Sequence, residues 1–315
     1  MATTVTEIED GAIALCEVPA SCPQLQAVEL TKVMLPPDFI HGLRRCPLMH
    51  TIFISECRIQ GITPSVAGED LYPNSLVFGG GTFTGAFTLL RSLTLFDVVV
   101  NPEFMAQLAQ FLSLEKVFIT FLPTRADPGV VEVNWIEVGA IRLPKLRHLY
   151  IGIGPMDPGL PYFSLLTPSA SHIISAAAQL ARGVLSGRVT LQSTPLRAVD
   201  FARLLCHPRR VVSNVELYFQ VQDTVPEVIY VCFKANVSLA DEAEPSIRLE
   251  VGIQRTELVD AAEIILSRFP LDGDFKLVYF DEEASNMIRL AIEQSPNAAG
   301  LHHLQRLAII KPRDS

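Results

Sequence analysis

Between Ser21 and Ile59 the chain repeats itself. Leu25, Val28, Leu30, Val33 and Leu35 recur as Met49, Ile52, Ile54, Cys57 and Ile59, each 24 residues later, and Cys22-Pro23 recurs as Cys46-Pro47 at the same offset. This pattern restricts the fold because of where its apolar positions fall. Residues two apart, such as Val28 and Leu30, point to the same face of a short strand. The first apolar residue enters from the preceding turn, and the residues after the strand lead the chain back across the layer. One such unit cannot bury its apolar side alone. Stacking on neighbours buries it, and strand pairing between units satisfies the backbone.

The pattern has the form L-x-x-L-x-L-x-x-N/C-x-L, and its period lies within the roughly 20–29 residues of a leucine-rich repeat. Leu90, Leu93, Leu95, Val98 and Val100 make a third complete instance. Partial ones follow at Leu114/Val117/Ile119, Leu146/Leu149/Ile151, Phe275/Val278/Phe280 and Leu304/Leu307/Ile309. Leu90 to Leu114 again spans 24 residues, but Met49 to Leu90 spans 41 and Leu114 to Leu146 spans 32, so insertions separate the repeats. Asn101-Pro102 supplies an N-cap and a first-turn proline ahead of Phe104, Leu108 and Phe111, and Pro37-Asp38 plays a similar part before Phe39 and Leu43. Gly61 to Gly85 reads as an inserted loop with an extra strand at Ser75–Phe78. Residues 152–171, rich in Gly and Pro, form the most evident break, a long loop or hinge.

Ile173 to Leu185 then reads as helix, and Asp200 as the N-cap of a helix reaching Cys206. Strands are expected at Val215–Val221, Val228–Lys234, Ile247–Ile253, Lys276–Phe280 and Gln305–Ile310. Helices are expected near Glu257–Arg268 and Glu282–Glu293. The expected fold is α/β: a leucine-rich-repeat solenoid of irregular strand–helix units on a curved parallel sheet. Residues 1–20 form an N-terminal flank and 21–315 one arc with its break at 152–171.

Composition narrows the function. Hydrophobic residues make up 49% of the 315 and charged residues 19%, so a large core is assured and disorder is not expected. The net charge of −9 and the absence of dense basic runs argue against a nucleic-acid partner. No uninterrupted apolar run is long enough to span a bilayer, and the acidic N-terminus lacks the pattern of a signal peptide, so a cytoplasmic or nuclear location without a membrane partner is expected. The six cysteines form no C-x-x-C and read as small buried hydrophobes, with Cys57 at the polar-or-Cys position of its repeat.

Tests for chemistry are mostly negative, and no cofactor or metal is expected. The run Gly79-Gly80-Gly81-Thr82-Phe83-Thr84-Gly85 lacks the Lys-Ser or Lys-Thr of a phosphate-binding loop and reads as a flexible loop. Gly183-Val184-Leu185-Ser186-Gly187 places its serine one position late for a nucleophile elbow. Asp272-Gly273-Asp274 is too short for a calcium loop, and none of the seven histidines forms H-E-x-x-H. An enzyme would need a site in the C-terminal half where several of Asp200, His207, Glu216, Asp281 and Glu282 converge.

One positive feature remains. The residue between the last two apolar positions of each triplet should point to the exposed, concave side of its strand. Those residues are Glu29, Phe53, Thr94, Phe118, Tyr150, Tyr279 and Ala308. Phe53, Phe118, Tyr150 and Tyr279 are therefore the candidate binding residues, because aromatic side chains are enriched where protein partners are held. The competing explanation is that an insertion loop folds over them.

The segments CPQLQAVEL, CPLMHTIFI, LLRSLTLFDVVV and LPKLRHLYI, with the later HPRRVVSNVELYF and LHHLQRLAII, resemble the irregular leucine-rich-repeat region of fungal F-box-like proteins, above all those of mushroom-forming fungi. The resemblance is specific over Ser21–Ile151. It implies a non-enzymatic module whose repeats recruit a protein substrate for a cullin–RING ubiquitin ligase. In that family an N-terminal F-box docks the ligase adaptor. Here the first repeat starts at Ser21, which leaves no room for one, and no L-P-x-E-type segment occurs elsewhere. A truncated chain, a fragment and an F-box-less scaffold all remain open.

Overall fold

The computed structural model describes residues 24–59, 76–78, 82–83, 85–122, 143–153, 168–205, 210–219, 230–239, 247–269, 275–278, 286, 290 and 308–310. The fold is α/β, with five α-helices among the described residues, mostly parallel strand pairing and no closed barrel. Two compact units divide it, Met1–Leu185 and Ser186–Ser315.

The strands of the first unit are β1 (Ala27–Thr31), β2 (Met34–Leu35), β3 (Thr51–Ser55), β4 (Arg58–Ile59), β5 (Val77–Phe78), β6 (Ser92–Val100), β7 (Lys116–Phe121) and β8 (His148–Ile153). Its main sheet runs β1-β3-β6-β7-β8, every pair parallel. The spacing of the apolar triplets sets the register. Val28, Ile52, Leu93, Val117 and Leu149 lie side by side, as do Leu30, Ile54, Leu95, Ile119 and Ile151. None of these ten is more than 3% exposed. Burying an aliphatic side chain of this size contributes about 1.5–3 kcal/mol, so the two rows outweigh any local preference of a single strand.

Three strands of this sheet carry a residue in the left-handed conformation at the same place: Lys32 (φ 57°), Glu56 (φ 52°) and Asp97 (φ 55°). The reversal turns the next residues, Val33, Cys57 and Val98, back into the core. The Lys32 and Glu56 backbone N–H groups donate to the carbonyls of Ser55 and Phe96 on the neighbouring strand. Beyond the turn, β2 pairs with β4, and β5 pairs with the end of β6 through Val77–Val99 and Phe78–Val100. The extra strand expected at Ser75–Phe78 is thus Val77–Phe78.

Helices α1 (Phe39–Leu43), α2 (Pro102–Leu108) and α3 (Pro168–Arg182) belong to this unit. Asn101 caps α2, its side-chain oxygen accepting the Phe104 N–H at 2.9 Å with Pro102 in the first turn. Phe104, Leu108 and Phe111 are buried as their spacing predicts. Asp38 precedes α1 but makes no side-chain cap. The inserted segment before β6 is pinned at the residues described there. Phe83 is buried, with its ring against Phe78, Phe87, Phe104 and Phe111, and its N–H donates to the buried Gln107 side chain at 3.1 Å. The Thr82 carbonyl accepts from Arg44 Nε at 2.7 Å.

The second unit contains β9 (Gly187–Leu196), α4 (Ala198–Leu204), β10 (Arg210–Phe219), β11 (Tyr230–Leu239), β12 (Ile247–Gln254), α5 (Leu258–Leu266), β13 (Phe275–Val278) and β14 (Ala308–Ile310). Its sheet order is β9-β12-β11-β10-β13-β14. Strand β11 runs antiparallel to β10 and β12, and the other pairs are parallel. The uninterrupted parallel sheet expected from the repeats therefore does not extend through this unit. The physical reason lies in the connections: residues 220–229 and 240–246 are short links of the kind that join antiparallel strands, whereas a parallel return needs a longer crossover.

Leu196 ends β9, and Val199 and Phe201 lie on α4. One further expectation is corrected. Asp200 does not cap α4. Arg197 holds that position, and Asp200 sits buried in the first turn, ion-paired with Arg197 at 3.4 Å and Arg203 at 3.1 Å. The Glu257 carboxylate accepts the Ala198 N–H, closing the exposed end of the helix from the turn before α5. Phe201 packs edge-on against Phe233 of β11 at 5.1 Å, which fastens α4 to the sheet. Residues 1–20, most of the break at 152–171, and Glu282–Glu293 apart from Asn286 and Leu290 lie outside the described residues.

Candidate functional site

On the main sheet of the first unit, Glu29, Phe53, Thr94, Phe118 and Tyr150 fall in one row across β1, β3, β6, β7 and β8. They alternate with the two buried apolar rows, so they occupy the opposite, solvent-facing side. Glu29 is exposed and Phe53, Phe118 and Tyr150 are half-buried, but Thr94, expected on the exposed side, is buried. Tyr279 and its neighbour Phe280 lie outside the described residues, and of Ala308 only its pairing with Lys276 is described.

Thr94 would interrupt the aromatic row, since its small side chain leaves a gap between Phe53 and Phe118. Phe96, two residues along the same strand and so on the same face, fills it. Phe53 and Phe96 have ring centroids 5.8 Å apart, Phe96 and Phe118 4.9 Å, and Phe118 and Tyr150 3.9 Å with nearly parallel planes at 4°. Four aromatic side chains thus make one continuous surface. Sequence reasoning missed Phe96, which lies outside the L-x-L window. The signal that would have found it is the period-2 continuation Ser92, Thr94, Phe96 along a strand longer than its neighbours.

The geometry at the Tyr150 end depends on Gly152. A Cβ there would lie 3.1 Å from Tyr150 Cε1 and 3.2 Å from its hydroxyl oxygen. The ring leans along the strand over the bare glycine, which lets it lie flat against Phe118. Offset or parallel packing of this kind contributes about 0.5–1.5 kcal/mol beyond buried area, so the pair is held in place before any partner arrives.

The surface has a charged end where the strands reach their left-handed residues. Lys32 Nζ lies 3.8 Å from Glu56, a solvent-exposed pair of little energetic consequence. Asp97 is more constrained: its Oδ1 accepts the Thr120 hydroxyl at 3.2 Å, while its N–H donates to Thr120 Oγ1 at 3.0 Å. Burial pushes the Asp97 carboxyl above its ordinary value; the Thr120 hydrogen bond opposes that shift and the nearby Glu56 carboxylate adds to it. At the opposite ends of the strands stand Arg91, Lys116, Arg147 and His148, all exposed.

Of the alternative, catalytic set, the two described members lie on different elements. Asp200 is buried between two arginines on α4, while Glu216 lies on β10 and lines a separate depression with Lys234 and Arg248. His207, Asp281 and Glu282 lie outside the described residues. The thiols described, Cys46, Cys57 and Cys232, are buried. Burial raises the Cys57 thiol and drives Cys232 up to about 11, which leaves both protonated and poorly nucleophilic near neutral pH. Among the described residues no three His, Cys, Asp or Glu side chains converge as a metal site, and no helix is long and apolar enough to cross a membrane.

The sequence matches no protein-family profile and no curated protein.

Proposed function

We propose that this chain is a leucine-rich-repeat interaction module, and that it binds a protein partner through the aromatic row of its first unit on the concave side of a repeat arc. The observation that carries the reading is the unbroken contact of Phe53, Phe96, Phe118 and Tyr150 on the solvent-facing side of a parallel sheet. Rigid, half-buried aromatic side chains supply large contact area at low entropic cost, because little rotamer freedom remains to be lost on binding. A column maintained only for stability would gain more by facing the core. The similarity to fungal F-box-like repeats further suggests that the partner is a substrate delivered to a cullin–RING ubiquitin ligase.

Affinity purification of the tagged chain from fungal cells tests this, run beside Phe53→Ala and Phe118→Ala variants and an Arg45→Gln control. The reading predicts one set of proteins that both aromatic variants lose and the control retains. Recovery of the cullin adaptor with that set supports the ligase role. A set unchanged by either aromatic substitution contradicts binding at this face.

A further inference from the structure

A second, independent surface lies in the second unit. Between β10, β11, β12 and β13 the sheet face forms an open depression of about 320 Å³, near the lower end of the range for small-molecule sites. Two rows of side chains frame it. One is Arg248, Asn236 and Asn214; the other is Lys234, Glu216 and Lys276, neighbours across β11, β10 and β13.

The floor is shaped by a β-bulge, since the pairing of β10 with β11 slips between Ser213 and Glu216. Asn214, inside that slip, has φ 51°. Asparagine tolerates left-handed backbone better than other side-chain-bearing residues, and a bulge re-aims the side chain it carries. Here it turns an amide into a depression already lined by a second amide and three cations.

The charges are not matched internally. Glu250 meets Arg188 through Oε2 at 3.2 Å, while its Oε1 lies 3.6 Å from Lys234 and accepts the Tyr218 hydroxyl at 3.3 Å. Lys234 is further held over the Tyr218 ring at 4.4 Å. Among the described residues neither Arg248 nor Lys276 has an ion-pair partner within 4.0 Å, and both are exposed. Among the described residues, four cations against the two carboxylates Glu216 and Glu250 leave a surplus of two positive charges here, in a chain whose net charge is −9.

That surplus matches a phosphomonoester, which carries about −1.5 to −2 at neutral pH and offers several acceptor oxygens to an arginine fork and to lysines. Glu216 is a pure acceptor and would repel the phosphate, so its place in the lining needs a donor on the ligand. A hydroxyl supplies one. We infer that this depression binds a small hydroxylated phosphomonoester, of the sugar-phosphate class, with Arg248 and Lys276 on the phosphate and Glu216 on a hydroxyl.

Isothermal titration of the full chain with glucose 6-phosphate, inorganic phosphate and glucose tests the assignment. Both anions should bind, glucose 6-phosphate the more tightly, and glucose alone should not. The double variant Arg248→Gln/Lys276→Gln should weaken both anions by about tenfold or more. Lys32→Gln/Arg45→Gln removes the same charge from exposed positions elsewhere and should leave both affinities unchanged. Glu216→Gln should preserve or strengthen phosphate binding while erasing the advantage of the sugar phosphate. No binding of either anion at about millimolar concentration overturns the site, as does equal weakening by the two double variants. Equal affinity of phosphate and glucose 6-phosphate overturns the hydroxylated class. Loss of anion binding leaves the aromatic-face reading untouched, and loss of the protein partner leaves this one untouched.

Discussion

Asp97 carries three constraints at once: a left-handed backbone, a hydrogen bond to Thr120 and a carboxyl raised by burial. A raised pKa means the folded chain binds the proton more tightly than the unfolded chain does. Its contribution to stability is therefore fully present below the ordinary carboxyl value of 3.8 and falls as pH rises through the folded value. Asp97→Asn keeps an acceptor for Thr120 and tolerates the left-handed turn without the charge. Thermal melts should show the variant equal to or more stable than wild type at pH 7, with the advantage gone at pH 3; a variant less stable at pH 7 would show that the charge itself is needed. Cys232 makes the second prediction at this scale. Its thiol, pushed up to about 11 by burial, should resist iodoacetamide at pH 8 in the folded chain and react only on denaturation, as peptide mass mapping would reveal.

Single elements hold where side chains supply what the backbone lacks. The short α2 relies on the Asn101 cap and on the aromatic cluster beneath it. Phe83 is the centre of that cluster, so Phe83→Ala should cost about 3–5 kcal/mol in denaturant melts. A loss below about 1 kcal/mol would mean that the segment does not anchor the unit. The sequence made the strands legible wherever two apolar positions two apart coincided with the 24-residue period, because burial of that pair fixes both the strand and its register. It did not reveal Phe83 as an anchor. A glycine-rich run carries no periodicity, and a lone aromatic in it reads the same whether buried or free. Strand β9 escaped for a related reason: Gln192, Ser193, Thr194 and Pro195 interrupt its apolar alternation and mimic a loop.

At the scale of the whole chain, the two units present different surfaces on comparable scaffolds. The first offers an aromatic row over parallel strands, the second a row of alternating charge, Glu250, Lys234, Glu216 and Lys276, over a mixed sheet. Strand direction in the second unit was not legible, because period-2 alternation is identical in parallel and antiparallel strands and only the connections distinguish them. The aromatic row was legible in register but not in completeness, since Phe96 depends on β6 extending beyond the triplet. The aromatic row is proposed to bind a protein. The most direct measurement is the affinity of the partner recovered by purification, titrated against wild type and Phe118→Ala. Removing Phe118 breaks the column between Phe96 and Tyr150 while leaving both buried rows intact. A loss of about tenfold or more in affinity is expected, with the far-ultraviolet spectrum unchanged. An unchanged affinity would contradict it.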